Sequence, residues 1–483
     1  MSHKVALRRE LRTIESLALS IAMMSPALAM SLYGGAPAMY VGYGAPLAFV
    51  FAGVGVVLVG GGLIYLCRYF SHAGSVYGLT GATLGPRAGF VSGWALLGCY
   101  LVYTAASAAT AGYFATLFLK DTGIAPHADF VWFTLGFLVI AYFLASLDIK
   151  RVGQTLLTIE GVSILMMLIV LVIVVGKLLG GFQGHHVTAR VFTLPDGVSF
   201  HNLVLASVFA FTAFAGFEGA ASLGEETENP RRAIPKALTI AIVAGVLFYI
   251  AVVAVMSMGF GTADGGSHFA GSSGPLFDLS RSYVGSTMAE VLEIGGLISA
   301  FSAALATMVG GGRMVFALVR DAAPASSLGK VNENGVPING VRIMLGFAVL
   351  AVVVVRLTGA TGLDTAFYLG TIGTLAVLVA YAMVDVGAFR LMSKTVKRKG
   401  VALIPLLGTF FLCYVMWNEV HPRPPAPYSY FPYVVAAWLL IAVVLSFASP
   451  GLAARIGAGL TEEEGLTSLP AGRDNLPVAG DPL

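Results

Sequence analysis

Twelve apolar stretches separated by short polar segments organise the chain. They run approximately over residues 16–41, 45–69, 87–119, 129–147, 154–179, 200–223, 235–260, 288–319, 341–357, 364–391, 402–418 and 431–449. About 20 helical residues cross the hydrocarbon core of a bilayer, so each stretch is long enough to span one. The connections are rich in Gly, Pro and polar residues, as in GTADGGSHFAGSSGP between Gly261 and Pro275. The pattern predicts an all-α polytopic membrane protein with a tail over residues 1–15, a core over 16–391 and two further helices over 392–450. Residues 451–483, which include EEE and SLPAGRDNLPVAGDPL, are predicted to be disordered. HKVALRRELR followed by an apolar run containing Ala27-Leu28-Ala29 has the outline of a secretory signal. That run continues to Tyr40, so the expectation is a first membrane helix.

Two of the stretches carry residues that weaken a helix. The sixth contains AFTAFAGFEGAAS, Ala210 to Ser222, and the first is interrupted at SPALA, with Pro26 about ten residues in. Glycine costs backbone entropy in a helix and proline removes a donor. An unsatisfied backbone group in lipid costs several kcal/mol, so irregular backbone at this depth survives only against protein or a cavity. Spans one and six hold the same place in two successive five-helix units, and five is odd, so the second unit enters from the opposite side. Paired interruptions in such inverted repeats mark a midplane binding site. Freed amides can hold an anionic group, and freed carbonyls a cation or an ammonium. The candidate substrate-binding residues are Met24, Ser25, Ala27 and Leu28 at the first break, and Phe211, Thr212, Ala213, Phe214 and Gly216 at the second.

Composition agrees: 57% of residues are hydrophobic and only 11% charged, against roughly 25% charged in soluble domains. With the N-terminus inside, 21 of the 28 Lys and Arg residues fall on the cytoplasmic side and six outside, which predicts both termini in the cytoplasm. Cys67, Cys99 and Cys413 have no metal-ligand spacing and read as buried free thiols. The eight histidines lie in tails, connections or span edges, and His185-His186 reads as a solvated loop pair. No HExxH, GxSxG or Walker A motif is present. The sequence therefore argues against an enzyme, and points to no metal, cofactor or nucleic acid.

FAFTAFAGFEGAASLGEETENPRRAIPKA, Phe209 to Ala237, resembles the sixth helix and following loop of the amino acid–polyamine–organocation superfamily of permeases. GGGRMVFALVRDAAP, Gly310 to Pro324, is similar to that family's end of the eighth helix, with Ala-Ala in place of a glycine-containing turn. HAGSVYGLTGATLGPRAGFVSGW, His72 to Trp94, resembles its second-to-third connection. The resemblance spans about residues 12 to 450. It implies the five-plus-five inverted-repeat fold of sodium-coupled leucine transporters with two added helices, and secondary active transport of an amino acid by alternating access. Many members carry G-x-G at the first break, where this chain has Ser25-Pro26-Ala27. Pro26 has no N–H, so Ala27, Leu28 and Ser25 would supply the donors, and a polyamine or small amine is the alternative substrate. Thr212 stands where the family often has a bulky aromatic, which predicts room for a medium-sized side chain.

Ionisable groups inside membrane helices are functional candidates. Glu160 and Glu218 are the candidates for a coupling proton, and Ser299 and Ser302 on the eighth span for a sodium ion, with proton symport favoured over sodium and exchange. Arg313, Asp385 and Glu293 lie near helix ends and are predicted to snorkel or pair structurally. Phe211, Phe214 and Phe217, with Tyr100 and Tyr103, are predicted to form a lid. Glu225 and Glu226 are predicted to meet Arg8, Arg9 or Arg12 as an inner gate. The expected partners are thus a small-molecule substrate, a proton or sodium ion and the lipid bilayer, with the oligomeric state open.

Overall fold

A computed structural model describes residues 7–463, apart from residues 8, 126, 273, 325 and 397. The first half contains α1 (Thr13–Met24), α2 (Pro26–Leu32), α3 (Ala38–Val41), α4 (Ala45–Cys67), α5 (Val76–Leu84), α6 (Pro86–Asp121), α7 (Phe130–Ala145) and α8 (Ile149–Leu179). After it come α9 (Phe200–Thr212), α10 (Pro230–Phe260), α11 (Ser267–Gly271), α12 (Pro275–Tyr283) and α13 (Ser286–Ala322). The chain continues with α14 (Ile338–Leu357), α15 (Gly362–Thr395), α16 (Leu403–Val420), α17 (Phe431–Ala448) and α18 (Pro450–Glu463).

Among the described residues, eleven helical segments are long and apolar enough to cross a membrane, and α7, with 16 residues, is a shorter apolar helix between them. The twelve predicted stretches match these segments closely. The first run, however, is divided at Ser25 and ends at Leu32, and α3 is separate.

Burial separates a centre from a periphery. In the apolar stretches of α9, with the turn that follows it, and of α13, 78% of residues are buried, against 22% in that of α17. Leu350 on α14 and Leu440 on α17 are 60% exposed or more, as lipid-facing residues are. α6, α13 and α15 are the longest helices, and α6 packs against both of the others. At 1.5 Å per residue the 37-residue α13 is about 55 Å long and reaches beyond the hydrocarbon core at one end or both.

The faces are stitched separately. On one, here called the N-terminal face, Leu11 pairs with Thr227 in an isolated parallel β-bridge. The bonds there run from Leu11 N–H to Glu226 O (2.9 Å) and from Glu228 N–H to Leu11 O (2.7 Å). On the opposite face Tyr43 N–H donates to Gly265 O at 3.2 Å, and Gly42, at φ +51°, leaves no room for a side chain beside Gly265 O.

The predicted disordered tail needs correcting. Residues 450–463 form α18, because Leu452, Ile456 and Leu460 recur four residues apart and bury one stripe of the helix. Arg455 Nε donates to Ala322 O at 2.7 Å, which fastens the helix to the end of α13. Residues 464–483 lie outside the described residues. Cys67 and Cys99 are buried as expected, whereas Cys413 is exposed.

Candidate functional site

The helix break in the first run sits at Ser25, which adopts the left-handed conformation (φ 46°, ψ 67°) between α1 and α2. Such a conformation is costly for a residue with a side chain. Here the side chain is held: Ser25 Oγ donates to Ser299 O at 2.7 Å and lies 2.8 Å from Ser299 Oγ. Tyr249 O–H reaches the freed carbonyl of Met24 at 3.4 Å.

The second break follows α9. Residues 213–216 are unwound, and a 3₁₀ helix, Phe217–Leu223, resumes beyond them. Gly216 has φ +102°, and a Cβ there would come within 2.7–2.9 Å of Met23, so the two breaks abut. The Ser20 hydroxyl joins them, donating to Phe217 O (2.7 Å) and accepting from Ala220 N–H (2.8 Å).

Between the breaks lies a cavity of about 60 Å³. Met23, Met24, Leu28 and Leu32 form aliphatic walls, and Ala303 and Ala366 leave space opposite. Ser25, Ser107, Thr110 and Thr212 place hydroxyl-bearing residues on the lining, with Tyr33 and Tyr103 beside them. No acidic or basic side chain lines it among the described residues.

Of the predicted binding residues, Met24, Ser25, Leu28, Thr212 and Ala213 line the cavity, as does Tyr103. Ala27, Phe211, Phe214 and Gly216 do not. The three phenylalanines predicted to form a lid turn into the scaffold instead. Phe211 packs on Phe411 (centroids 5.3 Å apart), Phe214 on Tyr249 (4.9 Å) and Phe217 on Tyr381 (5.1 Å). Three residues per step is nearly a full turn in a helix, but the unwound backbone between Phe211 and Phe217 sends each ring a different way.

Glu160, Ser299 and Ser302, named separately as proton and sodium candidates, are brought together. Ser299 Oγ donates to Glu160 Oε1 at 2.8 Å and lies 3.1 Å from Leu28 N. Ser302 and the backbone of Ala27 lie beside the same carboxyl. Glu160 is 2% exposed, and among the described residues its Oε2 and the buried Ser302 Oγ have no hydrogen-bond partner. Ser299 Oγ thus links the Glu160 carboxyl to the Leu28 amide at the start of α2, where freed amides were expected to hold an anionic group. A helix N-terminus suits either anion.

Glu218 is held differently. Tyr100 O–H donates to Oε1 at 2.9 Å and Tyr381 O–H donates to Oε2. Both of its oxygens are matched to donors, so the group ties α6 and α15 to the second break.

The N-terminal face is closed by ion pairs. Arg313, 1% exposed, grips Glu226 with two parallel bonds, Nε–Oε2 2.5 Å and Nη2–Oε1 3.0 Å. Arg320 grips Glu225 the same way at 2.8 and 3.1 Å, and the amide of Ala73 donates to Glu225 at 2.9 Å. Arg320 also bonds Asp321, which accepts from Tyr77 O–H at 2.8 Å and lies 3.2 Å from His72 Nε2. The gate predicted between these glutamates and Arg9 or Arg12 is therefore corrected: both carboxylates are taken by arginines of α13. Arg9 reaches Glu225 O, at 3.4 Å, and not its carboxylate, while Arg12 precedes α1, where its N–H donates to Glu15. Arg8 lies outside the described residues.

His72, Tyr77, Arg320 and Asp321 were missed as a group. They lie in the second-to-third connection and at the end of the eighth span, two stretches already singled out by resemblance, and the structure shows that those stretches meet. Arg313 is paired as expected. Asp385 is fully buried and has no partner for either oxygen among the described residues, and Glu293 is 1% exposed, so neither snorkels. His185, expected to be solvated, is half-buried and bonds Gly259 O at 2.8 Å.

A profile of the family described as amino acid permease matches residues 20–418. The branched-chain amino acid permease BcaP of Bacillus subtilis (strain 168) is 28% identical over 377 residues, covering 72% of this chain and 74% of that protein. The protein of the same name from Lactococcus lactis subsp. cremoris (strain MG1363) is 24% identical over 409 residues, covering 78% and 80%. The uncharacterized transporter Rv1999c of Mycobacterium tuberculosis is 28% identical over 233 residues, covering 46% and 49%.

Proposed function

Because the chain belongs to the amino acid permease family, we propose that it carries a branched-chain or similarly sized aliphatic amino acid across the cytoplasmic membrane by alternating access. The cavity between the two helix breaks carries this reading. Its walls are aliphatic, its polar lining is hydroxyl and backbone, and it offers no carboxylate to a polyamine. The name of the two bacterial relatives agrees in substrate class.

In this reading the N-terminal face is cytoplasmic, as the basic residues require, and both termini lie inside. Spans 1–5 and 6–10 are inverted repeats, and the last two spans are additions. The Arg313–Glu226 and Arg320–Glu225 pairs hold the cytoplasmic side shut. Arg313 stands ten residues beyond Ala303, about 15 Å along the same helix, so the pairs close the route below the cavity. Opening inward requires them to separate.

Proton binding at Glu160 is the coupling step. An uncompensated carboxylate in a low-dielectric interior costs several kcal/mol. A proton on Oε2 removes that charge and gives the group a donor toward Ser302. Because Glu160 and Ser299 touch both α2 and α13, the state of this carboxyl bears directly on how the first helix break sits against the eighth span.

The test is uptake by purified protein in liposomes from a panel of radiolabelled amino acids and polyamines. Accumulation of leucine, isoleucine or valine under an inward proton gradient is expected. Sodium-driven accumulation would assign the Glu160–Ser299–Ser302 cluster to that ion. Stimulation only by preloaded substrate would make the protein an exchanger, and no movement of any amino acid would overturn the reading.

A further inference from the structure

A second cavity, about 150 Å³, opens toward the face opposite the N-terminal one. Leu32 lines both it and the central cavity, so the two are neighbours on one route. Its chemistry is the reverse of the inner one: Asp121, Asp278, Arg281 and Glu293 all face it. Arg281 Nη2 bonds Asp121 Oδ2 at 3.1 Å and lies 4.0 Å from Glu293 Oε1. Asp278 Oδ2 accepts from Ser272 Oγ at 2.6 Å. Glu293 stands beside Asp121; it is almost wholly buried, and its Oε2 has no hydrogen-bond partner among the described residues. Three carboxylates against one guanidinium leave the cavity short of positive charge.

The geometry points to this outer cavity as a binding site for the zwitterionic head group of an amino acid, occupied before the substrate enters the central cavity. The α-ammonium, a compact group with three donors, sits against Glu293 Oε2. The α-carboxylate takes the guanidinium donors of Arg281 that Asp121 leaves free. The inner cavity has no charged side chain and reads the aliphatic side chain; the outer one reads the charges. This inference rests on the transport function proposed above.

The experiment uses the full-length protein and its Glu293→Gln and Asp121→Asn variants in liposomes, with equilibrium binding of radiolabelled L-leucine to the same proteins in nanodiscs. For Glu293→Gln we expect KM to rise about ten-fold, the weight of one charge-assisted bond, while kcat stays within about two-fold. The wild type should bind two equivalents and Glu293→Gln one. Ala303→Trp, which fills the inner cavity, should retain the outer site. That site should be displaced by other α-amino acids but not by 4-methyl-2-oxopentanoate, which has no ammonium. One equivalent in the wild type together with an unchanged KM in Glu293→Gln would overturn the inference and leave transport standing. Displacement by the keto acid as strong as by an amino acid would also overturn it. If no amino acid binds or moves in the wild type, the proposed function fails instead. Should Ala303→Trp not fold, the KM values of the two carboxamide variants decide alone.

Discussion

Ser299 donates a 2.8 Å hydrogen bond to Glu160 from a helix 139 residues away in sequence, and the same hydroxyl meets the broken first helix at Ser25 and Leu28. Glu160→Gln preserves that shape but can no longer gain and lose a proton. We expect the variant to exchange internal for external substrate at close to the wild-type rate, and to lose accumulation driven by a proton gradient. Counterflow and gradient-driven uptake measured in parallel would separate the two. Undiminished accumulation by Glu160→Gln would remove Glu160 from the coupling step.

Breaking a buried ion pair strands a charge, which costs about 3–5 kcal/mol, whereas replacing both members by apolar residues of similar volume is often neutral. Arg313→Met and Glu226→Leu should each lower the melting temperature sharply, and the double variant should recover most of the loss. Thermal unfolding in detergent provides the check. Single variants that melt like the wild type would mean the pair adds nothing to stability.

Asp385 occupies a slot between two glycines. A Cβ on Gly62 would stand 2.3 Å from its Oδ1, and one on Gly408 would stand 2.5 Å from its Oδ2. Gly62→Ala is therefore expected to destabilise by about 1–3 kcal/mol, the usual cost of overpacking. In an Asp385→Ala background that clash is gone, leaving only the 3.2 Å approaches to Ala388 and Pro405, and Gly62→Ala should cost clearly less. A double-mutant cycle in thermal stability reads the coupling; additive effects would contradict the packing described.

Two groups of the N-terminal face respond oppositely to pH. Burial opposes ionisation of Glu225, but the charges of His72 and Arg320 and the bonds from Arg320 and Ala73 hold its carboxyl below its ordinary value. Its contribution is present above that ordinary value and is lost only in acid. Burial would lower His72, yet its bond to Asp321 and that carboxylate's charge carry it above 6.5. Its contribution is complete below pH 6.5 and fades as pH rises through the higher folded value. Melting temperature should therefore fall on the alkaline side in the wild type and stay flat there in His72→Gln. Parallel curves from pH 6 to 9 would rule His72 out as the cause.

The spans were legible because hydrophobic run length is a strong local signal, and both breaks were legible because Pro26 and Gly216 have few uses inside a membrane helix. What a helix break does to its neighbours was not. Phe211, Phe214 and Phe217 share spacing but not direction, since unwinding between them resets the rotation of the chain. Pairing was equally hidden: nothing local in Glu226 says that its partner is Arg313 and not a residue of the N-terminal tail. The helix after Pro450 was readable in principle from Leu452, Ile456 and Leu460. The charged and proline-rich residues that follow outweighed that short stripe.

The bridge between Leu11 and Thr227 also has a consequence for biogenesis. Its two strands are 216 residues apart, so at about 5–20 residues per second they leave the ribosome roughly 10–40 s apart. Throughout that interval five further spans are made while the first helix lacks its N-terminal anchor. The last 250 or so residues are then added to a bundle whose beginning has just been fastened to its middle. A ribosome stalled before Thr227 should therefore carry a nascent chain whose N-terminal segment is open to protease, and one stalled well beyond it should carry a protected one.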